Sequence, residues 1–277
     1  MAELHQALTY LFVPGNRPER FAKALASGAD RIILDLEDAV ATADKAAARL
    51  AIAEWMSTAG EALPKVLIRI NDDATAWYAD DLALAAQVKV ACVMLPKCES
   101  AAQTSAVLSA LPHTASVLPL IETARGLLAL QDIAAAPGVA RLAFGSLDYM
   151  ADLDIPTGSV ALDYAAAHIA VASRAAGLPA PLAGVTPDLD AARVSADMQH
   201  ARTLGFGAKM CIHPSQIAAV RSALAPGAAE LAWAESVLAA WATSSGGAIQ
   251  LNGRMVDKPV VLKAERIRAL AAQLQTR

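Results

Sequence analysis

Short apolar runs alternate with alanine-rich stretches along most of the chain. The runs are nearly continuous in Val, Ile, Leu and Ala, which is typical of strands buried on both faces of a parallel sheet. We predict eight such strands, at 10–13, 31–36, 66–70, 91–95, 117–121, 140–144, 182–185 and 208–212. Helical patterns lie between them, most clearly at 17–26, 42–56, 77–87, 100–111, 123–135, 159–176 and 189–204.

This alternation indicates parallel strands joined by crossover helices. Eight such units between residues 10 and 212 fit an α/β fold of the (β/α)8 TIM-barrel type. The competing fold is an open, doubly wound sheet, which usually has fewer strands and a glycine-rich phosphate loop. The sequence contains neither a GxGxxG motif nor a P-loop lysine motif. The pattern therefore favours the barrel.

The residues after the eighth predicted strand form a separate extension. Pro226 and Gly227 precede a predicted helix at 228–241, which is followed by a Ser/Gly joint at 244–247, an apolar segment at 248–256 and a last helix at 260–275. We expect a catalytic barrel over 1–225 and a C-terminal helical arm over 226–277. Because a closed barrel does not need the arm, and arms after flexible joints often pack on a neighbouring subunit, we expect that role for it.

Composition and charge narrow the class of protein. The chain is 56% hydrophobic, yet no window approaches the ~18 apolar residues of a membrane span, and the first residues lack the features of a secretory signal. Three cysteines without a CxxC pair argue against a disulfide framework, so we expect a reduced, cytoplasmic protein. A net charge of −4 without a basic block argues against nucleic acid as a partner, and we expect no membrane partner.

Polar residues concentrate where the predicted strands end. In barrel enzymes the catalytic groups lie at the carboxyl ends of the strands and in the loops that follow. Those positions hold Pro14-Gly15-Asn16-Arg17, Asp35, Glu37, Asp38, Arg69, Asn71, Lys97, Glu122, Gly145-Ser146, Asp148, Thr186 and His213. The opposite ends carry no such set. The sequence therefore predicts an active site at the carboxyl-end mouth of the barrel.

Glu122 and Asp148 are the candidate metal ligands. They follow two neighbouring predicted strands, which lie ~4.8 Å apart in a sheet, so their carboxylates can converge on one ion. Two carboxylates completed by water and substrate oxygens are the usual protein share of a Mg2+ site. The alternative is that each carboxylate only caps the amino terminus of a helix. We predict Mg2+ as the cofactor.

Three further groups are candidate substrate ligands. Arg69 could grip a carboxylate or an enolate oxygen through two parallel hydrogen bonds, or it could instead pair with Glu37 or Asp38. Successive backbone N–H groups of Gly145, Ser146 and Leu147 could hold a carboxylate as a nest. A turn formed by Pro14, Gly15 and Arg17 could lie against a phosphate.

His213 is expected to order a loop, and Cys92 and Cys211 to be small core residues.

With these residues identified, the chain resembles the citrate lyase β-subunit-like branch of the HpcH/HpaI aldolase family. The matching segments lie in the family's order at 12–20 (FVPGNRPER), 34–40 (LDLEDAV), 69–71 (RIN), 94–97 (MLPK), 121–126 (IETARG), 145–148 (GSLD), 212–216 (IHPSQ) and 253–259 (GRMVDKP). Many members have Glu immediately before the metal-binding aspartate, where this chain has Leu147. That difference bears on substrate preference.

The resemblance implies a more specific site. It implies that Glu122 and Asp148 bind Mg2+, that Arg69 binds substrate, and that Asp257, supplied by a neighbouring subunit of a homotrimer or larger homo-oligomer, acts as acid or base. It also implies 3-hydroxyacyl thioesters of coenzyme A, or of a carrier protein, as substrates, with acetyl-CoA and a 2-oxo acid among the products. Glu37 is expected to orient Arg69 or a water.

The expected activity is thus a Mg2+-dependent carbon–carbon lyase acting on a citryl-, malyl- or citramalyl-CoA type of thioester. Two alternatives remain open at the level of the sequence. One is a pyruvate-type aldolase that acts on free 2-oxo acids without coenzyme A. The other is a carrier-dependent β subunit of a citrate lyase complex, which would be active only with its acyl-carrier partner.

Overall fold

The computed structural model describes residues 6–244 and 247–275, and in them eight parallel strands close into a barrel. Neighbouring strands pair in sequence order, and β8 closes against β1. The strands are β1 (Thr9–Pro14), β2 (Arg31–Asp35), β3 (Val66–Arg69), β4 (Cys92–Leu95), β5 (Ser116–Ile121), β6 (Ala143–Phe144), β7 (Leu182–Ala183) and β8 (Ala208–Cys211). The predicted (β/α)8 barrel is confirmed.

Helices follow each barrel strand and often begin at a capping side chain. They are α1 (Phe21–Leu25), α2 (Lys45–Thr58), α3 (Tyr78–Gln87), α4 (Ala101–Ala110), α5 (Ala124–Leu128), α6 (Leu130–Ala135), α7 (Ser146–Leu153), α8 (Val160–Ala175), α9 (Ala191–Thr203) and α10 (Gln216–Leu224). Short 3-10 helices lie at Pro18–Arg20, Thr42–Asp44 and Gly60–Lys65. Ser100, Thr123, Ser159 and Asp190 each accept a backbone N–H of the helix that they start.

The alternation of side chains along the strands aims the polar residues at the mouth. The barrel interior is filled by buried residues that include Ile33, Leu67 and Leu120. Successive residues of a strand point to opposite sides, so the residue two positions later also points inward. Counted in this way from Ile33, Leu67 and Leu120, the next inward-pointing residues are Asp35, Arg69 and Glu122. They lie at or just beyond the ends of β2, β3 and β5. The hydrophobic core and the polar mouth are thus stacked along the same inner face.

Four elements differ from the sequence prediction, and the first is the strand expected at 140–144, which is only Ala143–Phe144. The helix expected at 123–135 is two helices, because Ala129 leaves helical geometry at φ −90° and ψ 5°. The strand expected at 182–185 is only Leu182–Ala183, because the Gly184 carbonyl is taken by the Lys209 ammonium at 2.5 Å. The helix expected at 17–26 is a 3-10 turn that starts at Pro18, followed by the short helix α1.

The segment Gly145-Ser146-Leu147, whose backbone N–H groups were expected to form a nest, lies at the direct junction of β6 and α7. Helix α7 begins at Ser146, directly after β6, and Gly145 is its N-cap. The Gly145 N–H donates to the Ile121 carbonyl at 2.9 Å, and the Gly145 carbonyl accepts the Tyr149 N–H at 3.0 Å. Because both backbone groups of Gly145 are used in this way, the chain passes from strand to helix without a loop, and Asp148 lies in the first helical turn.

A second compact unit begins at Arg221, within α10, whereas the sequence placed the boundary after residue 225. In its described part, α11 (Ala228–Ala242), the hairpin of β9 (Ile249–Leu251) and β10 (Arg254–Val256), and α12 (Lys258–Gln275) share a small apolar core. Asn252 and Gly253 form the hairpin turn, both with positive φ, as a two-residue type I′ turn requires.

Parts of two sequence predictions lie outside the described residues. These are the amino terminus at 1–5 and residues 245 and 246 of the expected joint. Within the described ranges, the helices fall short of the length and apolar character that crossing a membrane would require.

Candidate active site

Arg69 is fixed at the barrel mouth by two carboxylates. Its Nε and Nη2 atoms donate to the Asp35 carboxylate at 2.7 and 2.6 Å, and its Nη1 lies 2.7 Å from Glu37 Oε2. The guanidinium also stacks over the Phe12 ring, 4.7 Å from its centroid. Burial opposes its charge, but Asp35 and Glu37 hold the pKa of Arg69 above its ordinary value. Arg69 is therefore a permanent, oriented cation.

These contacts use only some of the N–H groups of the Arg69 guanidinium. A guanidinium carries five N–H groups, and two of them are hydrogen-bonded to Asp35. The Nη1–Glu37 contact is an ion pair whose geometry leaves Glu37 Oε2 without an aligned donor. The guanidinium can therefore still donate from Nη1 and Nη2 to a substrate oxygen at the mouth.

Glu37 links Arg69 to Lys97. The Lys97 ammonium donates to Glu37 Oε1 at 3.0 Å. Burial raises the pKa of Glu37, against the attraction of Arg69 and Lys97. Burial also opposes the charge of Lys97, but its hydrogen bond to Glu37 keeps the pKa of that lysine above its usual value. Arg69, Glu37 and Lys97 thus form one charged row across the mouth.

Of the two predicted metal ligands, Glu122 is the more buried, with 1% of its surface exposed. Its Oε1 accepts the backbone N–H of Lys97 at 2.7 Å. Burial, with the nearby negative charges of Glu37 and Asp148, raises the pKa of Glu122 to about 8, although the Lys97 N–H and Arg69 act in the opposite direction. A buried carboxylate close to two others is unfavourable in its charged form, and a cation would stabilise it.

Gly145 allows Glu122 to lie against the start of α7. A Cβ atom added to Gly145 would collide with Glu122 Oε2 and would lie 2.7 Å from the Glu122 Cβ. The absence of a side chain therefore lets the carboxylate reach the first turn of α7, which carries the half-buried Asp148. Ser146 and the exposed Leu147 lie in the same turn.

The loop after β2 is anchored by a buried lysine that the sequence analysis missed. Lys45 donates to the carbonyls of Leu36 and Glu37 at 2.8 and 3.0 Å and to Asn71 Oδ1 at 2.7 Å. Asn71 is held in turn by Asp81, whose Oδ2 accepts its side-chain N–H at 2.6 Å. These bonds fix the backbone on which Glu37 is mounted.

The first loop and the second unit hold the remaining predicted residues. Gly15 donates its N–H to the Asp35 carbonyl at 2.8 Å, so Pro14 and Gly15 lie beside β2 at the mouth. Arg17 is exposed and pairs with Glu19 at 2.7 Å. Asp257 lies in the second unit directly before α12, where its Oδ1 accepts the Val260 N–H at 3.4 Å.

Asp35 and Lys97 are the functional residues that the sequence analysis underrated. Asp35 was named only among the polar residues at the strand ends, and it is the bidentate partner of Arg69. Lys97 was noted only as a strand-end residue, although one residue supports both Glu122 and Glu37. Its position after Pro96 at the end of a buried strand was the available signal.

The barrel mouth therefore holds the buried carboxylate of Glu122, whose charged form a bound cation would stabilise, and the guanidinium of Arg69 in a fixed orientation. The family model described as HpcH/HpaI aldolase/citrate lyase matches residues 8–214, which include all of these barrel residues. The chain belongs to this family. The HpcH/HpaI relatives include a citrate lyase subunit beta-like protein of Mycobacterium tuberculosis, 40% identical over 92% of each chain.

Two further family members extend the comparison. A (3S)-malyl-CoA thioesterase of Cereibacter sphaeroides is 29% identical over 98% of this chain and 99% of its own. The solved structure of the protein CitE from Mycobacterium tuberculosis, in complex with magnesium, acetoacetate and coenzyme A, superimposes with a TM-score of 0.85. It is 38% identical and covers 96% of this chain and 98% of its own. These members share both the barrel and nearly the whole length of the chain.

Proposed function

We propose that this HpcH/HpaI member is a Mg2+-dependent carbon–carbon lyase. Its substrate would be a 3-hydroxyacyl-CoA thioester of a small dicarboxylic or tricarboxylic acid, of the citryl-, malyl- or citramalyl-CoA type. The products would be acetyl-CoA and a 2-oxo acid, and the reverse condensation would use the same site. The observation that carries the proposal is the convergence of Glu122 and Arg69, one buried carboxyl group and one oriented cation, on a single barrel mouth.

The carboxylate pair fits Mg2+ on the chemistry of its donors. Glu122 and Asp148 offer hard oxygen ligands, and Asp148 is near enough to Glu122 to raise its pKa. Among the described residues, no group of three or more His, Cys, Asp or Glu side chains is arranged so that it could hold a metal ion by itself. An ion held by Glu122 and Asp148 would therefore complete its coordination with water or substrate oxygens, as Mg2+ commonly does.

The chain's own residues would then position and polarise the substrate. A bound Mg2+ would supply Lewis acidity towards substrate oxygens and fix their geometry. The backbone N–H groups of Ser146 and Leu147, at the positive end of α7, are suited to hold a substrate carboxylate. Pro14, Gly15 and Arg17 are the proposed contacts for the coenzyme A phosphates, because the first loop lies at the same mouth.

Arg69 would stabilise the charge that develops on the thioester. In cleavage, the proton of the 3-hydroxyl passes to water, the hydroxyl becomes the ketone of the 2-oxo acid, and the electron pair of the bond between carbons 2 and 3 is left as a thioester enolate. The remaining N–H groups of Arg69 can donate to the enolate oxygen, in the manner of an oxyanion hole. Asp35 and Glu37 hold the guanidinium in place, so the donor need not reorganise during the reaction.

Asp257 is proposed to exchange the proton at carbon 2 of the acetyl group, from a neighbouring subunit of a homotrimer or larger oligomer. Its position in the second unit, directly before α12, is suited to a residue that an arm delivers to another copy. The described cysteines are free and buried, which fits a reducing compartment such as the cytoplasm.

The comparisons support the class of ligand. The CitE structure from Mycobacterium tuberculosis contains magnesium, acetoacetate and coenzyme A, and the relative in Cereibacter sphaeroides is named for (3S)-malyl-CoA. The thioesterase name also supports a second outcome, in which hydrolysis of the thioester follows cleavage or replaces it.

Removal of the predicted ligands tests the metal assignment. Glu122→Gln and Asp148→Asn keep the volume of each side chain and remove its charge. We expect both variants to lose Mg2+-dependent cleavage of malyl-CoA and to bind Mg2+ more weakly in calorimetry. Asp154→Asn, at the exposed carboxyl end of α7, is the matched control, because asparagine also tolerates the positive φ of this position, and it should retain both properties. Full Mg2+-dependent turnover by Asp148→Asn would contradict the assignment.

A further inference from the structure

A cavity of about 320 Å3 lies on the outer side of the barrel wall, among β6, β7, β8 and the helices α8 and α9. We call it the β6–β8 cavity. Its wall is largely apolar and includes Phe144, Met150, Leu162, Val185, Leu204 and Phe206. Cavities of this size with a few placed polar groups are typical of small-molecule sites. It adjoins the proposed active site at Ser146 and Leu147, but its charged group faces away from the barrel core, because β8 sends Ala208 and Met210 inward and the intervening Lys209 outward.

Lys209 is the buried charge of the β6–β8 cavity. The residue is 3% exposed, and its Nζ donates to the Gly184 carbonyl at 2.5 Å. An ammonium has three N–H donors, and its bond to Gly184 uses one of them. Within the described part of the chain, no carboxylate is close enough to form an ion pair with it. Burial lowers the pKa of Lys209, although Asp197 opposes that effect from a distance.

The other charged groups of the cavity are already paired. Arg193 Nε lies 3.0 Å from Asp197 Oδ1, and the second oxygen of Asp197 accepts the Thr186 hydroxyl at 2.7 Å. His200 Nε2 lies 2.7 Å from Asp163 Oδ1, and both side chains are about half exposed. Lys209 is thus the buried cation that a bound anion would complement, and an unpaired buried charge is unfavourable without such a partner.

We propose that the β6–β8 cavity binds a small carboxylate with a short hydrocarbon chain, its carboxylate on the Lys209 ammonium and its chain against the apolar wall. The proposal does not depend on the lyase reaction. Ser146 and Leu147 also line the cavity, so its occupant would lie against the first turn of α7, which carries Asp148.

Calorimetry with hexanoate tests the proposal, with hexan-1-ol and hexylammonium as neutral and cationic probes of the same chain length. We expect hexanoate to bind at least about tenfold more tightly than either probe, because a charge-assisted hydrogen bond is worth about that factor. Lys209→Met should weaken hexanoate binding by about tenfold or more, and Lys209→Arg should retain it. Equal binding by Lys209→Met, or no binding of hexanoate by the wild type, would overturn the proposal.

Two further variants separate the cavity from the active site and from loss of folding. Ala166→Phe fills the cavity from α8 and removes none of its charged side chains, and it should abolish hexanoate binding even if Lys209→Met does not fold. Glu122→Gln should leave hexanoate binding unchanged while it removes Mg2+-dependent turnover. Loss of hexanoate binding in Glu122→Gln, with retention in Ala166→Phe, would place the ligand at the barrel mouth and overturn the proposal.

Discussion

Arg69 and Asp35 lie opposite each other in the register of β2 and β3, and their side chains meet through two hydrogen bonds of 2.7 and 2.6 Å. The same register therefore positions both the cation and the carboxylate that orients it. If Arg69 stabilises an enolate oxygen, Arg69→Lys should lower kcat by about 10²–10³-fold, because a lysine keeps the charge but loses the fixed fork.

The control for this prediction is Arg20→Lys, since Arg20 is an exposed arginine near the same end of the barrel. Its turnover should be unchanged. Steady-state kinetics of both variants at saturating Mg2+ give the comparison. A kcat for Arg69→Lys within about twofold of the wild type would show that Arg69 is only a structural partner of Asp35.

Mg2+ binding should release a proton from Glu122. With a pKa of about 8, this carboxyl is mostly protonated at pH 7 in the metal-free protein, and the ion and the proton compete for it. The affinity for Mg2+ should therefore rise with pH up to about 8 and then level off. Calorimetry at pH 7 in two buffers of different ionisation enthalpy should show close to one proton released per ion, and none from Glu122→Gln.

The same pKa has a consequence for stability. The folded protein holds this proton more tightly than the unfolded chain does, whose glutamate has a pKa near 4.5. The stabilisation that Glu122 contributes to the free energy of unfolding is therefore fully present below pH 4.5 and is lost as the pH rises towards 8. Mg2+ should offset this loss. A metal-dependent increase in Tm that shrinks as the pH rises from 6 to 8 would contradict the account.

Lys97 has two functions that substitution can separate. Its backbone has φ +43°, and in this conformation its N–H reaches Glu122 while its ammonium reaches Glu37. Lys97→Gly removes the ammonium and tolerates the positive φ. We expect its Mg2+ affinity to stay within about twofold of the wild type and its kcat/KM to fall by about tenfold or more, since Glu37 loses a charged partner.

Lys97→Ala is the matched variant, because it removes the same ammonium but keeps the Cβ atom, which in a left-handed backbone costs about 1–2 kcal/mol relative to glycine, as it does in the wild-type lysine. It should show the same loss in kcat/KM with a lower Tm than Lys97→Gly, and Lys97→Arg should recover part of the activity. Unchanged kcat/KM in Lys97→Gly would limit Lys97 to its backbone contact with Glu122.

Asp257 should act between subunits. Asp257→Ala and Glu122→Ala should each be inactive as homo-oligomers. When the two are unfolded and refolded together, mixed oligomers would contain some mouths with an intact Glu122 and an intact Asp257 from a neighbour. Activity should therefore reappear in the mixture. If the mixture stays as inactive as its parts while affinity tags of two kinds, one on each variant, co-purify and so show mixed oligomers, Asp257 does not serve a neighbouring mouth.

The barrel could be predicted because its strands are continuous apolar runs and its polar residues follow their ends. The contacts of Arg69 could be predicted only in part: the expected ion pair with Glu37 is present at 2.7 Å. The sequence suggested Glu37 or Asp38 as its partner, whereas Asp35 is the bidentate one, because the β2–β3 register places Asp35 directly opposite Arg69. Strand register depends on packing over the whole barrel, and spacing along one chain does not report it.

Local backbone geometry explains the other differences. A left-handed lysine has no sequence signature, and at Lys97 the conformation goes with the bond of its N–H to buried Glu122. Glycine and serine are common in turns, but the backbone hydrogen bonds of Gly145 to Ile121 and Tyr149 lead the chain directly from the strand into the helix. The hairpin of β9 and β10, in contrast, carried a usable signal in Asn252-Gly253, which the sequence analysis did not use.

The most direct test of the proposed lyase is turnover of citryl-, malyl- and citramalyl-CoA, with Mg2+ and with EDTA, following both 2-oxo acid and free coenzyme A. We predict that at least one thioester is cleaved to acetyl-CoA and a 2-oxo acid only when Mg2+ is present. Release of free coenzyme A without 2-oxo acid would indicate a thioesterase, and cleavage only of free 2-oxo-4-hydroxy acids would indicate a plain aldolase. Either of those results, or turnover that persists in EDTA, would contradict the central claim.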